Sequence, residues 1–221
     1  MNATTWWAVG GSATTYPRLT RVALGATTDP VLDPSYSYQQ AALRVAHPAM
    51  DYNGAGYSQI QPSASPAASS PGTFCWTIVP HPGAANYWPL YDSPGGSSAR
   101  LFIRYGKGAY LLYVGNTLVM KYESAHQHSE ATIVIVAINP VTGIGRALFY
   151  DRSRFSRSFF INTTLPSFSG ETGHGYNGTT SDNTRIGDFD VLELNYWSTA
   201  LSFADMEAAC AKQAALYQVG K

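Results

Sequence analysis

Short apolar runs alternate with clusters of Gly, Pro, Ser and Asn along most of the chain, a rhythm of strands separated by turns. Tyr57 to Ile60 alternates apolar and polar side chains, the period of a half-buried strand. Phe74 to Val79 reads as a buried strand closed by Pro80. Arg100 to Tyr105, Ala109 to Val114 and Thr117 to Tyr122 form a meander. Its hairpins are Gly106-Lys107-Gly108 and the two-residue turn Gly115-Asn116. Ala131 to Ile138 is the most apolar strand and is rich in β-branched residues. Asn139 to Gly143 turns the chain and Arg146 to Tyr150 returns it. Ser158 to Asn162, Thr184 to Gly187 and Phe189 to Trp197 bring the number of strands to about ten. Asp51 to Gly56, centred on Asn53-Gly54, reads as a turn, and Gly170 to Asn183 as a Gly-rich loop.

One helix is expected near the end. Ser202 caps it, and Asp205 three residues on completes a capping box. Phe203, Met206, Cys210, Ala214 and Tyr217 share one apolar face. A strand-rich chain with a single late helix is an antiparallel sandwich and not a βαβ fold.

Residues 1–40 show no clear period and are read as an extended arm, with residues 41–221 as the sandwich domain. Trp6, Trp7 and Tyr16 argue against a free tail. Such an arm either docks on a neighbouring subunit or packs on its own domain.

Composition narrows the function classes. Charged residues make up 13% of the 221 and the net charge is zero, which leaves no basic face for nucleic acid. No apolar run is long enough to span a membrane. Met1 to Trp7 has neither a basic n-region nor an apolar h-region, so the chain is expected to be made in a cytoplasm without general export. Cys75 and Cys210 have no ligand spacing and read as buried thiols.

Several segments resemble laminin-G-like, concanavalin A-like domains. Met50-Asp51-Tyr52-Asn53-Gly54 through Ile60 is similar to their opening F-D-G-x-x-D-Y-V-x-I, and Phe74 to Pro80 to F-T-I-x-x-W-V-K-P. His128 to Ile138 stands where they carry W-H-H-V-A-V-T-Y, without the Trp. Arg146 to Asp151 resembles V-R-L-Y-V-D-G, and Thr184 to Gly187 resembles L-R-I-G. Phe189 to Ser202 resembles the closing G-x-I-D-E-V-R-I-Y-N-R-A-L-S strand that leads into a helix. The resemblance covers residues 41–217 and implies an all-β antiparallel jelly-roll sandwich with the arm outside it. The family includes lectins, glycosidases, adhesion modules and virion proteins, so fold does not give function.

The candidate chemistry is sparse. Asp188, Asp190 and Glu193 resemble the E-x-D-x-x-E strand of β-glucanases. Strict alternation puts Glu193 on the opposite face from the other two unless a bulge intervenes. His126 and His128, with Glu123 and Glu130 nearby, lack a third ligand of clear zinc spacing. Calcium is the candidate cofactor, with Asp182 and Asn183 as ligands and Asp92 as a further one.

Sugar binding requires aromatic faces beside planar polar groups. Tyr87, Trp88 and Tyr91 form one such cluster, and His174, Tyr176 and Asn177 a second; core packing is the alternative for Trp88 and Tyr91. Arg152, Arg154 and Arg157 stand out in a chain with four Lys and read as a turn whose arginines pair with acids at a subunit contact.

The sequence-level expectation is a non-enzymatic interaction protein of a phage or virus particle surface, of head-decoration or tail-fibre type. It would be a homo-oligomer or bind other capsid or tail subunits, with no nucleic-acid or membrane partner. A carbohydrate-binding module is the alternative, and a glucanase the third reading. Location follows as the virion, or otherwise the cytoplasm.

Overall fold

The structure, a computed structural model, describes the backbone of residues 4–8, 19–23, 31–33, 49–53, 58–62, 70–80, 88–92, 101–106, 108–123, 130–161, 173–174 and 188–220, and the side chains of 70–79, 108–123, 130–161 and 192–220. Two antiparallel sheets are present. The first runs β13 (Arg154–Phe160), β12 (Ile144–Tyr150), β11 (Thr132–Asn139), β6 (Gly72–Pro80), β15 (Asp188–Trp197), β4 (Ala49–Asn53) and β3 (Val31–Asp33). A further strand, β1 (Thr4–Ala8), pairs with β15. The second runs β10 (Thr117–Glu123), β9 (Ala109–Val114), β8 (Leu101–Gly106), β7 (Trp88–Asp92), β14 (Gly173–His174), β5 (Ser58–Pro62) and β2 (Leu19–Ala23). Helix α1 (Phe203–Tyr217) follows β15. The expected all-β antiparallel sandwich with one C-terminal helix is therefore present.

Alternation along each strand decides what lies between the sheets. Phe74, Trp76 and Ile78 of β6, Val134 and Val136 of β11, and Phe149 of β12 point inward to meet Tyr110, Leu112, Met120 and Tyr122 of the second sheet. Tyr122 and Phe149 stack at 5.1 Å, and Phe155 lies 5.5 Å beyond Tyr122. The alternate set, Cys75, Val79, Ile133, Ile135 and Leu148, faces outward and is covered by Met206, Cys210 and Tyr217 of α1. β11 is thus buried on both faces, and its run of β-branched residues has no polar partner row. β10 has a solvent side, and its burial alternates toward its C-terminal end.

The turns follow local chemistry. Gly108, Gly115 and Gly143 each adopt a positive φ at hairpin ends. Asn139 Oδ1 accepts from the Val141 and Thr142 amides at 3.2 and 3.3 Å and closes the β11–β12 turn. Ser202 caps α1 as expected, its Oγ accepting from the Asp205 amide at 3.2 Å and donating to the Asp205 carboxylate at 2.6 Å.

Several boundaries differ from the sequence reading. The described part of the expected arm is strand within the sheets. β1 stands opposite β15, β2 opposite β5 and β3 opposite β4. These strands pack on their own domain. Asp51 to Asn53, expected in a turn, ends β4, because pairing with β15 satisfies its backbone. Arg154 and Arg157, expected in a turn, belong to β13, which begins four residues earlier than the expected strand at Ser158. Residues 184–187, expected as a strand, lie outside the described residues.

Gly145 of β12 faces Phe159, whose ring fills the volume a Cβ would need. Gly145→Ala is expected to displace that ring and cost about 1–3 kcal/mol of stability, read by urea denaturation. An unchanged midpoint would show that the ring is free to move.

Candidate functional site

The second sheet brings together the two aromatic clusters that the sequence separates by more than eighty residues. β7 and β14 are neighbours, with His174 opposite Tyr91 and Gly173 opposite Asp92. β5 lies on the far side of β14, with Ile60 opposite His174. The second cluster was expected within a loop, and both segments contain strand because each finds a partner. A register shift between Pro89 and Tyr91 marks a bulge in β7 against β8. Bulges re-aim side chains at sheet rims and binding sites. Beyond the bulge, Tyr91 stands opposite Ile103, and Ile103 opposite Leu112, a core residue. Trp88 stands opposite Tyr105. Tyr87, Tyr176 and Asn177 lie outside the described residues.

The candidate acids meet a different environment. β15 carries a register shift between Val191 and Glu193, so that Asp190 stands opposite Val79 and Glu193 opposite Thr77. Thr77 lies on the helix-facing side of β6, and the bulge brings Glu193 to that side with it. Glu193 is buried there beneath α1. Asn195 Nδ2 donates to its Oε1 at 2.5 Å and Gln213 Nε2 at 2.7 Å, while the Tyr217 hydroxyl donates to Oε2 at 2.7 Å. The Thr77 hydroxyl donates in turn to Gln213 Oε1 at 3.1 Å. Retaining glycoside chemistry needs a pair of carboxyls open to a sugar. Glu193 instead holds a helix in place.

A second buried carboxylate, Asp151, directly follows β12. Asp151 Oδ1 accepts from the Tyr122 hydroxyl at 3.0 Å, the Ser153 amide at 2.8 Å and the Ser153 hydroxyl at 3.2 Å. This ties β10 of one sheet to the β12–β13 turn of the other. Sequence reasoning missed both carboxylate networks. The Asp151-Arg152-Ser153 step carried a local signal, since an Asp capping the amide two residues on is a common turn device.

The remaining candidates separate. Arg152 pairs with Glu130 at 2.7 Å and Arg154 with Glu207 of α1 at 3.4 Å, so two of the three arginines find acids within the chain. Arg157 is exposed on the edge strand. Trp7 stands opposite Leu194, and Trp6 lies at the shift in the β1 register. Tyr16, His126, His128, Asp182 and Asn183 lie outside the described residues. Among the described residues, no group of three or more His, Cys, Asp or Glu converges as a metal site. Cys75 and Cys210 are both buried and unbridged, as expected.

No family model matches the sequence, and no curated protein does. Solved structures match in fold. A mutant Trypanosoma rangeli sialidase displaying trans-sialidase activity superposes with a TM-score of 0.59 at 13% identity, over 92% of this chain and 32% of that one. The binding domain of Paraclostridial Mosquitocidal Protein 1 superposes at 0.55 and 10% identity, over 93% of this chain and 51% of that one. The binding domain of botulinum neurotoxin serotype D superposes at 0.50 and 12% identity, over 71% and 40%. The chain therefore spans about a third to a half of the solved chains it matches. At these identities the likeness establishes a β-sandwich and nothing narrower.

Burial raises the Tyr122 and Tyr196 hydroxyls to about 12 from 10.0. A phenol whose folded pKa lies above its unfolded value holds its proton more tightly when folded. The stability this contributes is complete below pH 10.0 and is lost as the pH rises toward about 12. Urea midpoints are expected to fall between about pH 10 and pH 12, and to fall less steeply in Tyr196→Phe. An identical slope in that variant would remove Tyr196 from the account.

Proposed function

We propose that the chain is a non-catalytic carbohydrate-binding module whose glycan site is built on the β7–β14 pair. The adjacency of those strands carries the reading. It joins an aromatic cluster containing Trp88 and Tyr91 to a second one containing His174, with the acid Asp92 beside Gly173. Pyranose rings present CH faces to aromatic rings and hydroxyls to planar polar groups, so a site of mixed aromatic and amide or carboxylate character suits them. Tyr87, Tyr176 and Asn177 extend the same clusters in sequence and complete the proposed contact set.

Two further observations support binding over catalysis. Glu193, the one member of the candidate acid set whose side chain is described, accepts from three polar neighbours, Asn195, Gln213 and Tyr217, beneath α1. Two of the matching solved structures are binding domains of toxins by their own description. A laminin-G-like or concanavalin A-like ancestry is the finer form of the fold assignment and rests on the sequence segments alone. The comparisons lend no support to a virion setting. Calcium at Asp182 and Asn183 belongs to the same proposal and would be read by calorimetric titration of metal-free protein.

A glycan array followed by calorimetry tests the reading. The protein is expected to bind a defined set of oligosaccharides and to release them unaltered. Trp88→Ala and Tyr176→Ala are each expected to weaken binding by at least about tenfold. Thermal unfolding of Tyr176→Ala should stay close to that of the parent. An array without any bound glycan, or affinity unchanged in both variants, would contradict the proposal.

A further inference from the structure

Helix α1 covers the outer face of the first sheet with few large side chains. Its buried residues are Met206, Cys210, Gln213 and Tyr217, among which Gln213 is polar and Cys210 small. Much of the remaining helix is alanine, which has little area to bury. To the apolar contacts of Met206 and Tyr217 and the Arg154–Glu207 ion pair, the interface adds the contacts of Glu193, all of them with neutral donors. Among the described residues no cation pairs with this carboxylate. A buried carboxylate without a cation regains much of its lost hydration when its cover lifts. Gln213 and Tyr217, the two helix donors, sit one turn apart and leave together.

The neighbouring contacts define what stays behind. The Thr73 hydroxyl donates to the Thr199 carbonyl at 2.7 Å and accepts from the Leu201 amide at 2.9 Å, which pins the segment between β15 and α1 to the sheet. The inter-sheet core of Trp76, Tyr110, Tyr122 and Phe149 belongs wholly to strands and does not involve the helix. The thiols of Cys75 and Cys210 lie in the cluster that α1 closes. Burial pushes the Cys75 thiol well above its usual value and that of Cys210 to about 12, so neither is nucleophilic while the helix is down.

We propose that α1 is a latch: it lifts as one unit from the folded sandwich, pivoting at the Thr73-pinned segment, and in doing so bares the thiols of Cys75 and Cys210 together. The closed state is specified by the polar clasp on Glu193, and opening occurs without separation of the two sheets. Local openings of this kind arise where an element is held by few apolar contacts. The latch is a means of exposing two otherwise inert cysteines and the apolar strip of Val79, Ile133, Ile135 and Leu148 on demand.

Native-state thiol labelling of the full chain tests this. An aromatic disulfide reagent is applied across low urea concentrations, peptide masses report each cysteine, and the global unfolding curve is measured in parallel. Both thiols are expected to label with one opening constant whose urea slope is under about half that of global unfolding. Gln213→Ala should speed labelling of both about tenfold. Ile78→Val, placed in the inter-sheet core, should lower global stability and leave labelling in the absence of urea unchanged. Labelling that shares the global urea slope, that accelerates in Ile78→Val in step with lost stability, or that separates the two cysteines would overturn the proposal.

Discussion

The structure depends on one sheet being buried on both of its faces. β6, β11, β12 and β15 contribute alternate residues to a core shared with the second sheet and to a cluster beneath α1. A sheet in that position cannot leave any side chain in water along its central strands. Every polar residue there must find a partner, since an unpaired buried polar group costs roughly 1–3 kcal/mol. Thr73, Thr77, Glu193, Asn195 and Gln213 are all buried, and all are engaged with one another or with the backbone. The docked helix is therefore the layer that closes the outer face of this sheet. Its docking decides where these five polar groups go.

The same constraint separates structure from function. The described central strands of the first sheet are enclosed, and Asp151 and Glu193 serve to join elements. In the second sheet the pairing of β7 with β14 makes the two aromatic segments neighbours along the backbone. The proposed recognition site on the second sheet would leave the first as a stabilising layer, so that loops of the second could vary without disturbing it.

Much of the architecture was legible in the sequence where local chemistry acts alone. Gly108, Gly115 and Gly143 mark hairpins that only a positive φ permits, and Ser202 with Asp205 marks the helix start. The strands of the first forty residues were not legible, because five-residue segments such as Thr4–Ala8 acquire strand character only from partners far along the chain. The neighbourhood of Tyr91 and His174 was hidden for the same reason: segments more than eighty residues apart become adjacent only when β7 and β14 pair. The role of Glu193 was hidden by the bulge before it, which reverses the face that strict alternation assigns. Gln213, a polar residue, joins the helix face read from Phe203, Met206, Cys210, Ala214 and Tyr217, and hydrophobic periodicity has no means of finding it.

The central claim is that ligands meet this sandwich on the β7–β14 pair and not at the acids of β15. Amide chemical-shift mapping with a bound oligosaccharide addresses it residue by residue. The account predicts perturbed amides concentrated in residues 88–92 and 173–177, with those of α1 and of residues 192–197 unmoved. Perturbations centred on Glu193 and the helix, with the β7–β14 pair silent, would contradict it.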